Sequence, residues 1–566
     1  MVSNHLWALP LVAQNREIPY NHCMVERHCI AQPAIGQLRS ALRGPRAAIL
    51  LILLLAVSAR LLPGLRTVDD AYITFRYARN IVEGRGFVYN PGEHMLGTTT
   101  PLYTLLLAGL ALVTGSRDFP VLALAFNALA SAASVGLLYA LGRRFADHWA
   151  PAAATALLWA VAPYSVTFAI GGMETDLTVA LLLACCYAHV TDRPCAMAVC
   201  SALALLVRPD TAILLGLLWL DLALTCLSKR QLIALFREGL IMLALLIPWL
   251  IFGTLYFGSP LTASIAAKSV TYRLLPMEGA VRLLQHYATP FFEHKFLPPV
   301  GVFSVFALYC GLCALGSLRA CRRDRRSWPL IAYPFVYFAV FAMANPLLFR
   351  WYLSPPLPFY FLLILTGIWT LAYDLGCSFS KLRAETLKPE TSALAVLSLF
   401  IIAALALTIN AWDLHPDHGP DRPAPEMAWF KLELLYARAA EIVLSHAGPG
   451  DTLCAGDIGV LGYHTRMPIL DTVGLVTPES TRHYPADPDI YITNYAIPAD
   501  LVLALEPDYI VILEVYGRRG LLPDLRFQAR YRLLEKIEAD IYGSDGMLIF
   551  ERCASSRNPH PADKQP

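Results

Sequence analysis

Two adjacent carboxylates, Asp69 and Asp70, open the first polar stretch of the chain, directly after an apolar run that ends near Leu65. An acid pair at a membrane edge is costly unless it has a task. One carboxylate there can take the proton from an attacking hydroxyl, while cations neutralise charge growing on a departing phosphate. Its neighbour can orient the acceptor or raise the pKa of the base by like-charge repulsion. Consecutive side chains point in different directions on a helix or strand, so the two acids are expected to divide these roles. The candidate substrate-binding residues are Tyr72 and Arg76 beside the pair, then Glu174, Arg208, Lys268 and Arg350, each near the border of an apolar run.

The elements that must position these groups begin with the acid pair itself. After it comes an amphipathic stretch in which Ile73, Tyr77 and Ile81 share one helical face while Arg76 and Arg79 point elsewhere, the pattern of a helix lying at an interface. Gly84, Gly86, Pro91, Gly92 and Gly97 then break it into turns. The rest of the chain is mostly apolar: of 566 residues, 56% are hydrophobic and 16% charged, with a mean hydropathy of +0.50. That composition belongs to a helical membrane protein with many spans. A net charge of +2 makes no case for nucleic-acid binding. The 13 cysteines are scattered, many inside apolar runs, and no CxxC pair suggests zinc.

Apolar runs near 47–62, 120–141, 149–169, 176–190, 196–207, 211–227, 239–257, 300–318, 328–344, 357–373 and 391–410 predict about eleven spans, against the roughly 20 residues needed to cross a bilayer. With the N-terminal side cytoplasmic, the basic clusters around Arg143, Arg193, Lys229, Arg322 and Lys381 all fall inside. This holds only if Leu102–Val113 lies in the plane or re-enters, as part of a first outer loop over 66–119. The acid pair, Glu174, Arg208, Lys268 and Arg350 then share the outer face with everything after residue 412.

Residues 1–46 carry no removable signal peptide pattern and read as a poorly ordered cytoplasmic segment. His22, Cys23, His28 and Cys29 form a weak metal-like cluster there. The membrane domain covers 47–411. From 412 to 553 the composition is that of a small α/β domain, entered through a linker at His415–Pro423, with a helix at Lys431–His446 and strands at Asp451–Ile458, Ile469–Leu475 and Pro507–Leu513. Cys454 and Cys553 are a conceivable pair, Asp457 and Asp471 read as turn or cap residues with acceptor binding open, and 554–566 is a disordered tail.

Transfer of a sugar from a lipid phosphate fits an outer acid pair with membrane-edge cations. The blocks VDDAYITFRYARNIVEGRGFVYNPGE, GTTTPLY, GGMETDL, LLVRPD, YFGSPL with AAKS, RWYLSPPLP and AGDIGVLGYHTRMPILDTVGL resemble, in the same order, the bacterial membrane glycosyltransferases of the GT-C superfamily. They are most similar to the branch that includes mycobacterial terminal arabinofuranosyltransferases. The resemblance implies a polyprenyl-phosphate sugar donor, a glycan, glycolipid or protein acceptor, inverting transfer on the outer face of the plasma membrane, and a catalytic acid at Asp69 or Asp70. It departs at GTTTP, where many relatives carry GYT, and at TASIAAKS, where an asparagine often precedes the lysine. No cofactor is required, and a divalent metal is compatible but not demanded. The alternative is a transporter or lipid flippase coupled to protons through the acid pair; a non-catalytic envelope assembly protein is a third reading.

Overall fold

The computed structural model describes residues 45–146, 148–291, 298–383, 388–409, 412 and 431–553. The segment before residue 45 with its His/Cys cluster, the linker at His415–Pro423 and the tail from 554 lie outside the described residues.

Backbone in hydrocarbon has no water to bond with, so the apolar runs close their hydrogen bonds internally as helices. In order these are α1 (Pro45–Leu61), α2 (Asp69–Val82), α3 (Pro101–Thr114), α4 (Phe119–Phe145), α5 (Trp149–Val161), α6 (Pro163–Ile170), α7 (Thr175–Val190) and α8 (Pro194–Val207). They continue as α9 (Ala212–Ser228), α10 (Leu232–Phe257), α11 (Ala263–Thr271), α12 (Glu278–Ala288), α13 (Pro299–Arg323), α14 (Trp328–Ala344), α15 (Leu357–Arg383) and α16 (Pro389–Ile409). Among the described residues seven helical stretches are long and apolar enough to cross a bilayer, and the pair α5 and α6, bent by 43°, makes an eighth if taken as one span. The eleven expected spans are therefore not reached by length. Three of them, α1, α7 and α8, have 17, 16 and 14 residues. Most of α7 is buried inside the bundle, where neighbouring helices rather than the bilayer set an element's length.

Helix α3 begins beside α2, where the Thr100 and Thr74 hydroxyls are 3.2 Å apart. It ends just before Phe119, whose backbone bonds Tyr463 of the C-terminal domain. Both of its ends thus lie on the face that carries that domain. At the opposite end, three basic loops meet: Arg144 pairs with Asp324 at 2.9 Å and Arg326 with Asp192 at 2.9 Å.

The C-terminal domain is built from α17 (Lys431–Leu444), β1 (Leu453–Ala455), α18 (Gly459–Thr465), β2 (Ile469–Asp471), α19 (Ala499–Leu505), β3 (Tyr509–Leu513), α20 (Glu514–Gly517), α21 (Leu525–Arg530), β4 (Tyr531–Ile541) and β5 (Ser544–Arg552). The sheet order is β2-β1-β3-β5-β4. β1 pairs in parallel with β2 and β3, and β5 pairs antiparallel with β3 and β4. The predicted first strand is cut short because the chain turns at Gly456 and enters α18. Strands β4 and β5 were not predicted at all: LLEKIEAD is rich in helix formers, and pairing overrides that preference. Tyr542 and Gly543, both at positive φ, make the tight turn between them. Cys454 is a buried thiol on β1 rather than half of a bridge.

The domain docks through α18 onto α2. Arg76 donates to the carbonyls of Gly462 at 2.7 Å and Met467 at 2.9 Å, and Arg79 to that of Tyr463 at 2.8 Å. The Tyr89 hydroxyl donates to the Ile458 carbonyl at 2.6 Å, and Asn90 exchanges bonds with the Ile469 backbone at 2.9 and 3.0 Å. The approach is so close that a Cβ on Gly459 would run into the Asp69 backbone and one on Gly462 into the Tyr89 hydroxyl. Gly459→Ala and Gly462→Ala are accordingly expected to destabilise the protein by about 1–3 kcal/mol, the usual cost of overpacking. Gly216→Ala, at a glycine with open space around it, is the control. Thermal unfolding in detergent with limited proteolysis of the C-terminal domain checks this; equal behaviour of the three variants would contradict it.

Candidate active site

Asp69 and Asp70 occupy the first turn of α2, where two carboxylates favour the positive helix end. Adjacent positions on a helix are about 100° apart, and the two side chains part company here. The Asp69 carboxylate accepts from the backbone N–H groups of Gly459 at 3.0 Å and Val460 at 2.7 Å, at the start of α18. The Asp69 N–H in turn donates to Glu433 Oε1 of α17 at 3.1 Å. Burial, and next the neighbouring Asp457, push the Asp69 carboxyl well up, against the pull of the two N–H donors.

Asp70 faces the other way, into a cavity of about 520 Å³ that also receives Glu174, Arg208 and Lys268. Lys268 Nζ of α11 is 3.5 Å from Asp70 Oδ2, with both side chains partly open to solvent. Burial works to lower the Lys268 pKa, but Asp70 and then Tyr352 outweigh it, and the net shift is upward. The ammonium also lies over the Phe349 ring, 4.5 Å from its centroid. Arg208 sits between two acids: it is bidentate on Asp210 at 2.8 and 2.9 Å and reaches Glu174 at 3.3 Å. Tyr352 covers its guanidinium at 4.6 Å. Burial raises the Glu174 pKa, and Arg208 opposes it. Among the described residues no three His, Cys, Asp or Glu side chains are grouped to hold a metal ion.

The structure thus gathers Asp70, Glu174, Arg208 and Lys268 from distant parts of the chain, and it directs the other candidates elsewhere. Tyr72 packs on Phe75, Tyr463 and His464, with its hydroxyl 3.1 Å from that of Thr67. Arg76 is 1% exposed and spends its donors on Tyr89, Asn90, Gly462 and Met467. The interfacial helix expected from Ile73, Tyr77 and Ile81 is instead buried on nearly all sides, between the bundle and the C-terminal domain. Arg350 opens the turn Arg350–Leu353 that supplies Trp351 and Tyr352 to the cavity. Its own charge acts on Arg282, Glu433 and Tyr542. Trp351, Tyr352, Asp210 and the run Thr98-Thr99-Thr100 also line the cavity and were not among the expected substrate-binding residues. RPD and RWY carried part of that signal, since each places a polar or aromatic residue beside a candidate cation. Leu475 brings the C-terminal domain into the cavity wall. Its turn is held by buried Asp471, which accepts from the N–H groups of Val473 at 2.7 Å, Val476 at 3.1 Å and Leu475.

With this geometry in view, comparison with known proteins is informative. Residues 428–553 match the family model of a domain of unknown function, DUF8728. ArnT from Cupriavidus metallidurans, crystallised with undecaprenyl phosphate, superposes with a TM-score of 0.54 at 14% identity, covering 93% of this chain and 100% of that one. The chain has the GT-C fold. The archaeal oligosaccharyltransferase AglB from Archaeoglobus fulgidus, in complex with an inhibitory peptide and a dolichol-phosphate, shares that GT-C fold at a TM-score of 0.50 and 12% identity, over 84% of this chain and 71% of its own. In sequence, the terminal beta-(1->2)-arabinofuranosyltransferase of Mycobacterium tuberculosis (strain ATCC 25618 / H37Rv) is 29% identical over 221 residues, 35% of this chain. The match spans about a third of that relative, 34% of its length.

The division between the two acids is measurable. Asp69→Ala leaves two buried N–H groups unpaired, at about 1–3 kcal/mol each, and is expected to lower the unfolding temperature, whereas Asp70→Ala changes it little. Glu433 supplies a pH signature. Its Oε2 is shut from solvent without a partner among the described residues, and burial pushes its carboxyl up to about 8. The folded state therefore holds this proton between roughly pH 4.5 and 8 while the unfolded state releases it, so stability falls as pH rises through that window. Asp457 adds to the upward shift and Arg350 opposes it. Glu433→Gln is expected to flatten the fall of unfolding temperature between pH 5 and 8; an unchanged slope would remove Glu433 as its source.

Proposed function

We propose that this protein transfers a sugar from a polyprenyl-phosphate donor to an envelope glycan, lipid or protein acceptor, inverting the anomeric centre, with Asp70 as general base. The observation that carries the reading is the placement of Asp70 and Lys268, 3.5 Å apart, on one cavity of a GT-C fold. In the proposed step the acceptor oxygen forms a bond to the anomeric carbon while its proton passes to Asp70. The bond from that carbon to the phosphate oxygen breaks, and its electron pair leaves with the polyprenyl phosphate. Lys268 serves the phosphate: it is the cavity cation with a single carboxylate partner, whereas Arg208 already answers both Asp210 and Glu174. Binding of the donor phosphate draws Lys268 from Asp70 and leaves that carboxylate to accept the proton. Arg208, held rigidly, fixes the positions of Glu174 and Tyr352, which orient the sugar and acceptor.

Asp69 in this scheme is an anchor for the C-terminal domain and takes no part in proton transfer. The likeness to ArnT, whose structure holds undecaprenyl phosphate, supports a lipid-phosphate donor, and the clustering of basic loops at the end opposite the cavity supports a cavity on the extracytoplasmic face of the plasma membrane. The step as written requires no divalent metal.

Purified protein in lipid vesicles, supplied with radiolabelled polyprenyl-phosphate sugars and an envelope extract as acceptor, tests the reading. Asp70→Asn is expected to cut transfer by about 10²–10⁴-fold, the range for loss of a general base, at unchanged unfolding temperature. Lys268→Ala is expected to lower it with weaker donor binding. Transfer by Asp70→Asn at the wild-type rate would refute the mechanism, and movement of labelled lipid across acceptor-free vesicles would point to a flippase.

A further inference from the structure

The cavity has a wall whose chemistry the proposed mechanism does not use. Thr74 lies one helical turn beyond Asp70 on α2, so the two share a face. Its hydroxyl meets those of Thr100 at 3.2 Å and Thr98 at 3.5 Å, and the latter two are 3.1 Å apart. The three form a closed triangle on the cavity wall, each only 3–6% exposed. The Thr100 N–H also donates to the Thr98 hydroxyl at 3.2 Å.

Each hydroxyl carries one donor and two acceptor lone pairs. Either oxygen can donate at each edge; with the ring closed in one sense, each hydroxyl donates once and accepts once, which occupies the three protons. Thr98 spends its second lone pair on the Thr100 N–H. One lone pair remains on Thr74 and one on Thr100. With the ring so closed, the wall offers acceptors. A phosphate, which has only acceptor oxygens at neutral pH, gains nothing from such a ring and is served by Lys268, 3.5 Å from Asp70. A ring that carries hydroxyl donors gains two bonds.

We propose that the Thr74–Thr98–Thr100 triangle reads the donor sugar: it accepts from two hydroxyls of a neutral sugar ring while the phosphate lies at Lys268, so that the anomeric carbon falls beside Asp70. The inference rests on the donor class proposed above and adds the orientation of that donor and the residues that select its sugar. Sugars whose matching positions are deoxy are discriminated against at this wall, because the buried threonine lone pairs then lose their partners.

The test uses the full chain in nanodiscs, with undecaprenyl phosphate and two of its sugar phosphodiesters, one carrying a furanose and one a pyranose, as probes. Wild type is expected to bind at least one sugar-bearing probe fivefold or more tighter than the bare lipid phosphate. Thr74→Val and Thr100→Val, which keep shape and remove a lone-pair bearer, are expected to erase most of that preference and to leave affinity for bare undecaprenyl phosphate within twofold. Thr100→Ser, which keeps the hydroxyl, is expected to restore it. A parallel loss for all probes would make the triangle a structural element, and either an unaffected preference or no preference in wild type would overturn the proposal. These outcomes separate from the catalytic reading: Asp70-dependent transfer with indifferent threonine variants removes only the sugar-reading wall, whereas sugar-selective binding without any transfer removes only the enzyme mechanism.

Discussion

The carboxylate of Asp69 on the first two N–H groups of α18 is the contact on which the cavity's geometry depends. Helix N-termini leave backbone donors without intrahelical partners, and an acid is the natural group to satisfy them. Here the acid comes from another domain. Because Asp69 and Asp70 are consecutive, fixing one on α18 fixes the direction of the other, and α2 cannot rotate about its axis without breaking both bonds. The glycines at 459 and 462 make the distance possible, since each lies where a side chain would collide with α2 or its following loop. Thus the segment AGDIGVLGY is an assembly device, and the position of Asp70 in the cavity is one of its consequences.

Positive charge is rationed around this contact. Arg76 and Arg79 are buried against carbonyl oxygens of the C-terminal domain, where they fasten the interface. Arg208 is committed to two carboxylates and stacked beneath Tyr352. That leaves Lys268, with one carboxylate neighbour at 3.5 Å and partial solvent exposure, as the cavity cation best able to change partners. A flexible ammonium on a long stem suits such an exchange better than a planar guanidinium held by a bidentate contact to Asp210 and a third bond to Glu174.

Much of this was legible from the chain. Composition and span length gave the membrane class, and the motifs around Asp70, Glu174, Arg208 and Lys268 named four groups that the fold collects into one cavity. What could not be read is how adjacent residues are shared between partners. Asp69 and Arg76 look as functional as Asp70 in one dimension, because a charged residue beside an apolar run carries no mark of whether it will face a cavity or a docked domain. The helix count stays unsettled for a related reason: α1, α7 and α8, with 17, 16 and 14 residues, fall short of the length rule, which gives fewer spans than the apolar pattern suggests. The β4–β5 hairpin was hidden because its residues prefer helix locally and are recruited by pairing with β3.

The C-terminal domain is therefore part of the site's wall. Leu475 reaches the cavity from a turn locked by Asp471, and the same domain covers the face of α2 that carries Tyr72, Arg76 and Arg79. Removing it would expose that face, strip two guanidinium groups of their carbonyl partners and free α2 to turn. A soluble domain attached only to recruit acceptors would need none of these contacts. Its burial against α2, through the Asp69 contact that sets the direction of Asp70, makes the domain a structural part of the cavity rather than an appendage beside it.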